Sequence, residues 1–174
     1  MQEEFDPKWS EEFPQDEAWA AELAQSRRPL PLLSFPSAQL TGADVYEITH
    51  DAAKQTEGIL AAATRMPAAA AVCMMDLSLE AEAFGCKIIA SRHEVPTVTD
   101  ILVSDEDEAN ALVIPPVGAG RTAMYVKAAS DAKAQIQDRP VLAGIIGPFS
   151  LAGRLMDVTE IMYLCYDEPD MVHK

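Results

Sequence analysis

Asp76 directly follows an apolar run, Ala68 to Met75. The run is too short for a lone core helix and suits a parallel strand buried on both faces. A carboxylate at the carboxyl end of such a strand stands where parallel α/β proteins place their chemistry. The same placement also suits an N-cap for a helix opening at Leu77. Glu80 lies one turn further and can face the same cavity, or solvent like most helix glutamates; Glu82 follows on the same short helix.

A second cluster runs from Gly144 to Gly153, Gly-Ile-Ile-Gly-Pro-Phe-Ser-Leu-Ala-Gly. Gly147, Pro148, Phe149 and Ser150 form a tight turn where backbone can approach a ligand closely. The N–H groups at the start of the next helix can hold an anion. The stretch is neither a Walker A loop nor GxGxxG, and a purely structural turn fits it too. Arg154 is the only basic side chain between Pro140 and His173. It can clamp a carboxylate bidentately or lie on the surface.

Other chemistries lack their residues. Cys73, Cys86 and Cys165 are widely spaced, with no CxxC, and read as reduced thiols in a cytoplasm packed as small apolar groups. None of His50, His93 or His173 stands two residues before a Cys, so no zinc-ligand spacing occurs. The three histidines read as structural or surface residues, and no Ser/His/Asp or Cys/His arrangement follows from spacing.

The elements that position these groups alternate. Leu30 to Phe35 reads as a short buried strand. Thr41 and Asp44 read as a capping box, opening a helix to about Arg65 that Pro67 stops. The strand Ala68–Met75 precedes a short helix, Leu77 to Phe84, stopped by Gly85. Cys86 to Leu102 reads as a β-hairpin excursion. Ser104 and Asp107 cap a short acidic helix, and a long helix covers Gly118 to Gln137. Val141 to Gly147 is a third strand, followed by a helix from Asp157 that ends at Glu168-Pro169. Strands separated by long helices predict a parallel sheet with βα crossovers.

Residues 1–26 differ: eight acidic residues among the first 25 stand against Lys8, with Phe5, Trp9, Phe13 and Trp19 interleaved. They predict an acidic arm, with a helix from Pro14 to Gln25 whose aromatics dock on the rest. The formal net charge of −15 over 174 residues excludes nucleic acid and anionic lipid as partners. No apolar run approaches the roughly 18 residues that span a bilayer, and the acidic N-terminus is no secretory signal.

Cys73 to Gly85, ending a strand in Asp76 before a small helix and Gly85, resembles a segment of the uroporphyrinogen decarboxylase and corrinoid methyltransferase superfamily. Gly144 to Gly153 resembles its Gly-Pro turn, and Cys165-Tyr166-Asp167-Glu168-Pro169 resembles its next step. The resemblance spans Arg27 to Lys174 and implies the N-terminal half of a (β/α)₈ barrel: about three β/α units with a hairpin excursion. By carry-over Asp76 matches the family's active-site Asp, which in decarboxylases faces pyrrole nitrogens. Those decarboxylases carry an Arg-rich loop after the first strand; here the region reads Ser34 to Gln39 without Arg. They also carry a Tyr where Arg154 stands. The wording is closer to methyltransferases that move a methyl group between a corrinoid and a thiol such as coenzyme M. Those hold zinc with a His-x-Cys and a later Cys from the C-terminal half. The resemblance thus implies no cofactor in this chain, zinc and a corrinoid substrate for the complete barrel, and a corrinoid protein, a C-terminal half or a second copy as partner. A tetrapyrrole-acting decarboxylase relative and a non-catalytic half-barrel binding module are the alternatives.

Overall fold

The computed structural model describes residues 14–32 and 35–172. The chain opens with helix α1, Pro14–Ser26; residues 1–13 of the acidic arm lie outside the described residues. Trp19 docks as the arm's composition predicts, its Nε1–H donating to the Ala69 carbonyl at 3.0 Å. The predicted strand Leu30–Phe35 does not form: 30–32 carry no ladder, Phe35 lies in a turn, and 33–34 are outside the described residues. One bond marks its course, from the Ala69 N–H to the Pro29 carbonyl at 2.9 Å. This segment is bounded by prolines, which cannot donate to a ladder.

Two short helices follow, α2, Ser37–Thr41, and α3, Val45–His50, before the long α4, Ala52–Arg65. The capping box is three residues later than the sequence suggests. Asp44 accepts the Glu47 N–H at 2.8 Å, and Glu47 accepts the Asp44 N–H at 2.9 Å. Thr41 instead closes α2, where Gly42 takes the left-handed φ of 74°. The single predicted helix breaks at Asp51, which is extended and caps α4 through the N–H groups of Ala53 and Lys54.

Strand β1, Ala71–Val72, pairs in parallel with β4, Val141–Leu142, with Ala71 opposite Val141. Both ladders are far shorter than the apolar runs that hold them. Between them come α5, Leu79–Phe84, and the antiparallel hairpin of β2, Ile88–Ile89, with β3, Thr97–Val98. Then come α6, Glu106–Ala111, and the long α7, Thr122–Gln135. Helix α6 is capped by Asp105, not Ser104, through the Glu108 N–H at 2.8 Å. After β4 come α8, Pro148–Leu155, α9, Val158–Asp167, and α10, Pro169–Val172. The stretch expected as a turn to Gly153 is therefore helical from Pro148.

Ile59, Cys73, Ala132 and Ile136 form a core between α4, α7 and the parallel pair. Ile48, Met74, Leu79 and Tyr125 form a second above it, at the carboxyl end of β1. The fold is mixed α/β, with one βα crossover between parallel strands. Among the described residues no helix is long and apolar enough to cross a membrane.

Candidate functional site

The parallel pair ends on one face, where β1 delivers Asp76 and β4 delivers the Gly144–Gly147 turn. Met75 and Gly144 lie side by side there. A Cβ on Gly144 would stand 3.0 Å from the Met75 Cβ, so glycine lets the two strand ends approach.

Asp76 is buried, its side chain 1% exposed. Its Oδ1 accepts the Ser78 N–H at 2.9 Å and the Ser78 hydroxyl at 2.7 Å. Its Oδ2 accepts Arg121 Nη1–H at 2.7 Å and the Tyr125 hydroxyl at 3.0 Å. Four donors thus fill the roughly four acceptor positions of an ionised carboxylate. The capping alternative is partly realised, since Asp76 organises the turn into α5, yet the helix's own N-cap is Ser78.

Arg121 was not singled out by sequence. It stands at the N-cap of α7 with its side chain 10% exposed. Besides Asp76, its Nε–H donates to Glu82 Oε2 at 2.5 Å, its Nη2 to the Ser78 hydroxyl at 3.1 Å, and its Nη1 to the Thr49 carbonyl at 3.3 Å. One guanidinium therefore joins α3, the end of β1, α5 and α7. Burial works against its charge, but the Asp76 and Glu82 carboxylates outweigh it and raise its pKa. Tyr125 follows one turn later on the same face of α7. Burial first, then the Asp76 charge, drives its phenol well above the ordinary tyrosine range. The signal for this pair is only the i, i+4 spacing of Arg121 and Tyr125 behind a glycine-rich turn.

Glu80 does not point to solvent. Its Oε1 accepts the Ile146 N–H at 3.3 Å, tying α5 to the β4 turn. Its Oε2 is buried without a hydrogen-bond partner. Asp76, Glu80 and the turn are thus brought to one face. Gly147 is the N-cap of α8 with Pro148 at its first position, so Pro148 contributes no N–H there. Gly147, Pro148, Phe149 and Ser150 are exposed, Phe149 at 52%. Arg154 lies half-buried in the last turn of α8 and makes no ion pair among the described residues.

Beside Thr49, the last residue of α3 is His50. Its ring stacks on Tyr46, with centroids 4.0 Å apart and planes at 10°. An apolar cavity of about 430 Å³ lies elsewhere, lined by Phe84, Val103, Leu112, Leu155 and Ile161 among others, and Asp76 does not line it. Among the described residues no three His, Cys, Asp or Glu side chains converge to hold a metal ion.

The uroporphyrinogen decarboxylase (URO-D) family model matches residues 28–174. No curated protein matches the chain. A solved methyltransferase from Methanosarcina mazei superposes with a TM-score of 0.71 at 20% identity, over 83% of this chain and 45% of that one. At that identity the likeness shows the fold, and this chain spans under half the length of that methyltransferase.

Proposed function

This chain belongs to the uroporphyrinogen decarboxylase family, and from that premise we propose that it forms part of a methyl-transferring (β/α)₈ barrel. The reaction would move a methyl group between a corrinoid and a thiol such as coenzyme M. The observation that carries the reading is the saturation of Asp76. A decarboxylase needs this carboxylate to face pyrrole N–H groups; here Ser78, Arg121 and Tyr125 occupy it. Its role becomes fixing the wall of the site through Arg121. The region after the stretch expected as the first strand supports the same choice. It forms α2, with Ser37 and Ala38 buried and no basic side chain from Ser37 to Thr41 to clamp a polycarboxylate.

In this reading the exposed Gly147–Ser150 turn meets the ligand, with Glu80 holding the turn through Ile146 and Arg154 flanking it. Zinc would activate the thiol on a His-x-Cys and a later Cys supplied from outside this chain, by a C-terminal half. A corrinoid protein is the expected methyl carrier and the cytoplasm the expected compartment. The test uses protein purified from its own cells through a tag on this chain. Methylcobalamin should lose its methyl group to coenzyme M above a no-enzyme control, with no coproporphyrinogen formed from uroporphyrinogen. Coproporphyrinogen formation, or no methyl transfer at all, would overturn the reading.

A further inference from the structure

We propose that the apolar cavity between α6 and α9 seats a basic amphipathic helix of a partner protein; the inference is independent of the methyl transfer proposed above. The cavity, about 430 Å³, has two walls. Ala109, Leu112 and Ile114, from α6 and the segment after it, line one; Leu164 of α9 and Met171 of α10 line the other. Leu155 and Ile161 in the lining are buried, whereas Ile114 is 84% exposed, so the cavity runs from the core to an apolar rim. Along the chain that rim continues through exposed Val113 and Val117. Pro115 and Pro116 between them fix their own φ and stiffen the segment. An exposed apolar patch that leads into an apolar cavity marks a place of interaction.

Charge decides what fits there. Residues 104–120 carry four acidic side chains and no basic one, and residues 155–172 carry five and no basic one. Residues three or four apart on a helix share a face. Asp107 therefore stands beside Asn110 of the lining, and Glu160 and Glu168 stand one turn before and after Leu164. All three carboxylates are exposed, and none pairs with a cation among the described residues. Arg154 of α8 is half-buried and pairs with none of them. Like charges around an apolar hollow repel one another and attract cations to its mouth.

Other occupants conflict with that charge. A second copy would bring the same acidic rim against itself. The chain's own arm, residues 1–13, carries five acidic residues against Lys8 and meets the same repulsion. A fatty acid would add a carboxylate to the ring, and a neutral apolar molecule would leave the ring unused. A helix with leucine-like side chains at i, i+3, i+4 and i+7, flanked by lysine or arginine, meets both the hollow and its rim. Met156 and Met171 suit such anchors, because their unbranched, polarizable side chains adapt to what enters.

The experiment titrates the full chain into a fluorescein-labelled synthetic peptide of about five helical turns, with leucines on one face and lysines elsewhere. Two controls keep the leucines but replace lysine with glutamate, or keep the composition and shuffle the order. Fluorescence anisotropy at low salt should show the first peptide binding at least roughly tenfold more tightly than either control, and more weakly as salt rises. Ala109→Trp, which fills the cavity, and Asp107→Lys with Glu168→Lys, which reverses part of the rim, should each weaken it by roughly tenfold or more. Urea unfolding checks that these variants fold. Ile114→Asp, at an exposed position outside the core, should also weaken binding and serves if Ala109→Trp does not fold. Equal binding of the glutamate peptide, or no binding of the lysine peptide, would overturn the proposal. So would equal binding of the shuffled peptide, or binding that neither Ala109→Trp nor Ile114→Asp weakens, since either marks diffuse charge attraction. A chain that sediments as a dimer, and as a monomer once Ile114→Asp is made, would give the cavity to a second copy and overturn it too.

Discussion

Replacing Arg121 with Met removes one guanidinium and strands Asp76 in the core. The Asp76 side chain is 1% exposed, so water cannot replace the lost partner. Breaking a buried ion pair from one side costs about 3–5 kcal/mol. Three neutral donors remain on Asp76, from Ser78 and Tyr125, which places the cost near the lower end, about 3 kcal/mol. Glu82 adds little, since its side chain is 26% exposed and water can solvate it. Against a typical domain stability of about 5–15 kcal/mol this is a large share. The companion change Asp76→Asn removes the charge that Arg121 would leave unpaired. In the double variant the loss should be smaller than the sum of the two by about 1–3 kcal/mol, as for contacting pairs. Urea unfolding of the four proteins measures this. A cost below about 1 kcal/mol for Arg121→Met, or strict additivity, would refute the buried pair as the organiser of this face.

The three thiols should separate by exposure. Burial pushes Cys73 up to about 11, and burial with the Asp100 charge pushes Cys86 up, whereas Cys165 is exposed. At pH 8 an aromatic disulfide reagent should label Cys165 alone in the native protein; rapid labelling of two thiols per chain would contradict this. Because the folded pKa of Cys73 is raised above its ordinary 9.0, its contribution to stability is intact below about pH 9 and is lost as pH rises towards about 11. The urea midpoint should therefore fall over that window, and less so in Cys73→Ala. Gly144→Ala forces a Cβ to 3.0 Å from Met75 and should cost about 1–3 kcal/mol. Gly147→Ala meets nothing within 4 Å and should change stability by about 0.5 kcal/mol or less; equal effects in urea would undo the close-approach argument.

The helix ends were largely legible because they depend on neighbouring residues. Gly85 adopts a φ of 114° after α5 and Asp157 caps α9, whereas the helix opening at Pro148 was read as a turn. Strand lengths were not legible. Burial makes Ala68–Met75 apolar, but pairing depends on what lies alongside, and β4 matches only Ala71 and Val72. The capping box was ambiguous because Thr41–Asp44 and Asp44–Glu47 both offer an acceptor and a carboxylate three apart. In the fold, Arg92 from the hairpin also binds Asp44, at 2.9 Å. Asp76 and the Gly-Pro turn were visible because each follows an apolar run. Arg121 lies 45 positions from Asp76. Such a partner comes from three-dimensional contact, which spacing along the chain does not encode.

The Arg121 contacts bear on how this scaffold could be re-engineered. Parallel α/β folds invite loop grafting because each βα connection can usually be exchanged while its neighbours stay put. Here one side chain from the start of α7 grips the last turn of α3 and the segment after β1 together. A graft at either place would pull on the other through the same guanidinium. The two connections and Arg121 form one exchangeable cassette, and a library that varies them separately would lose folded members.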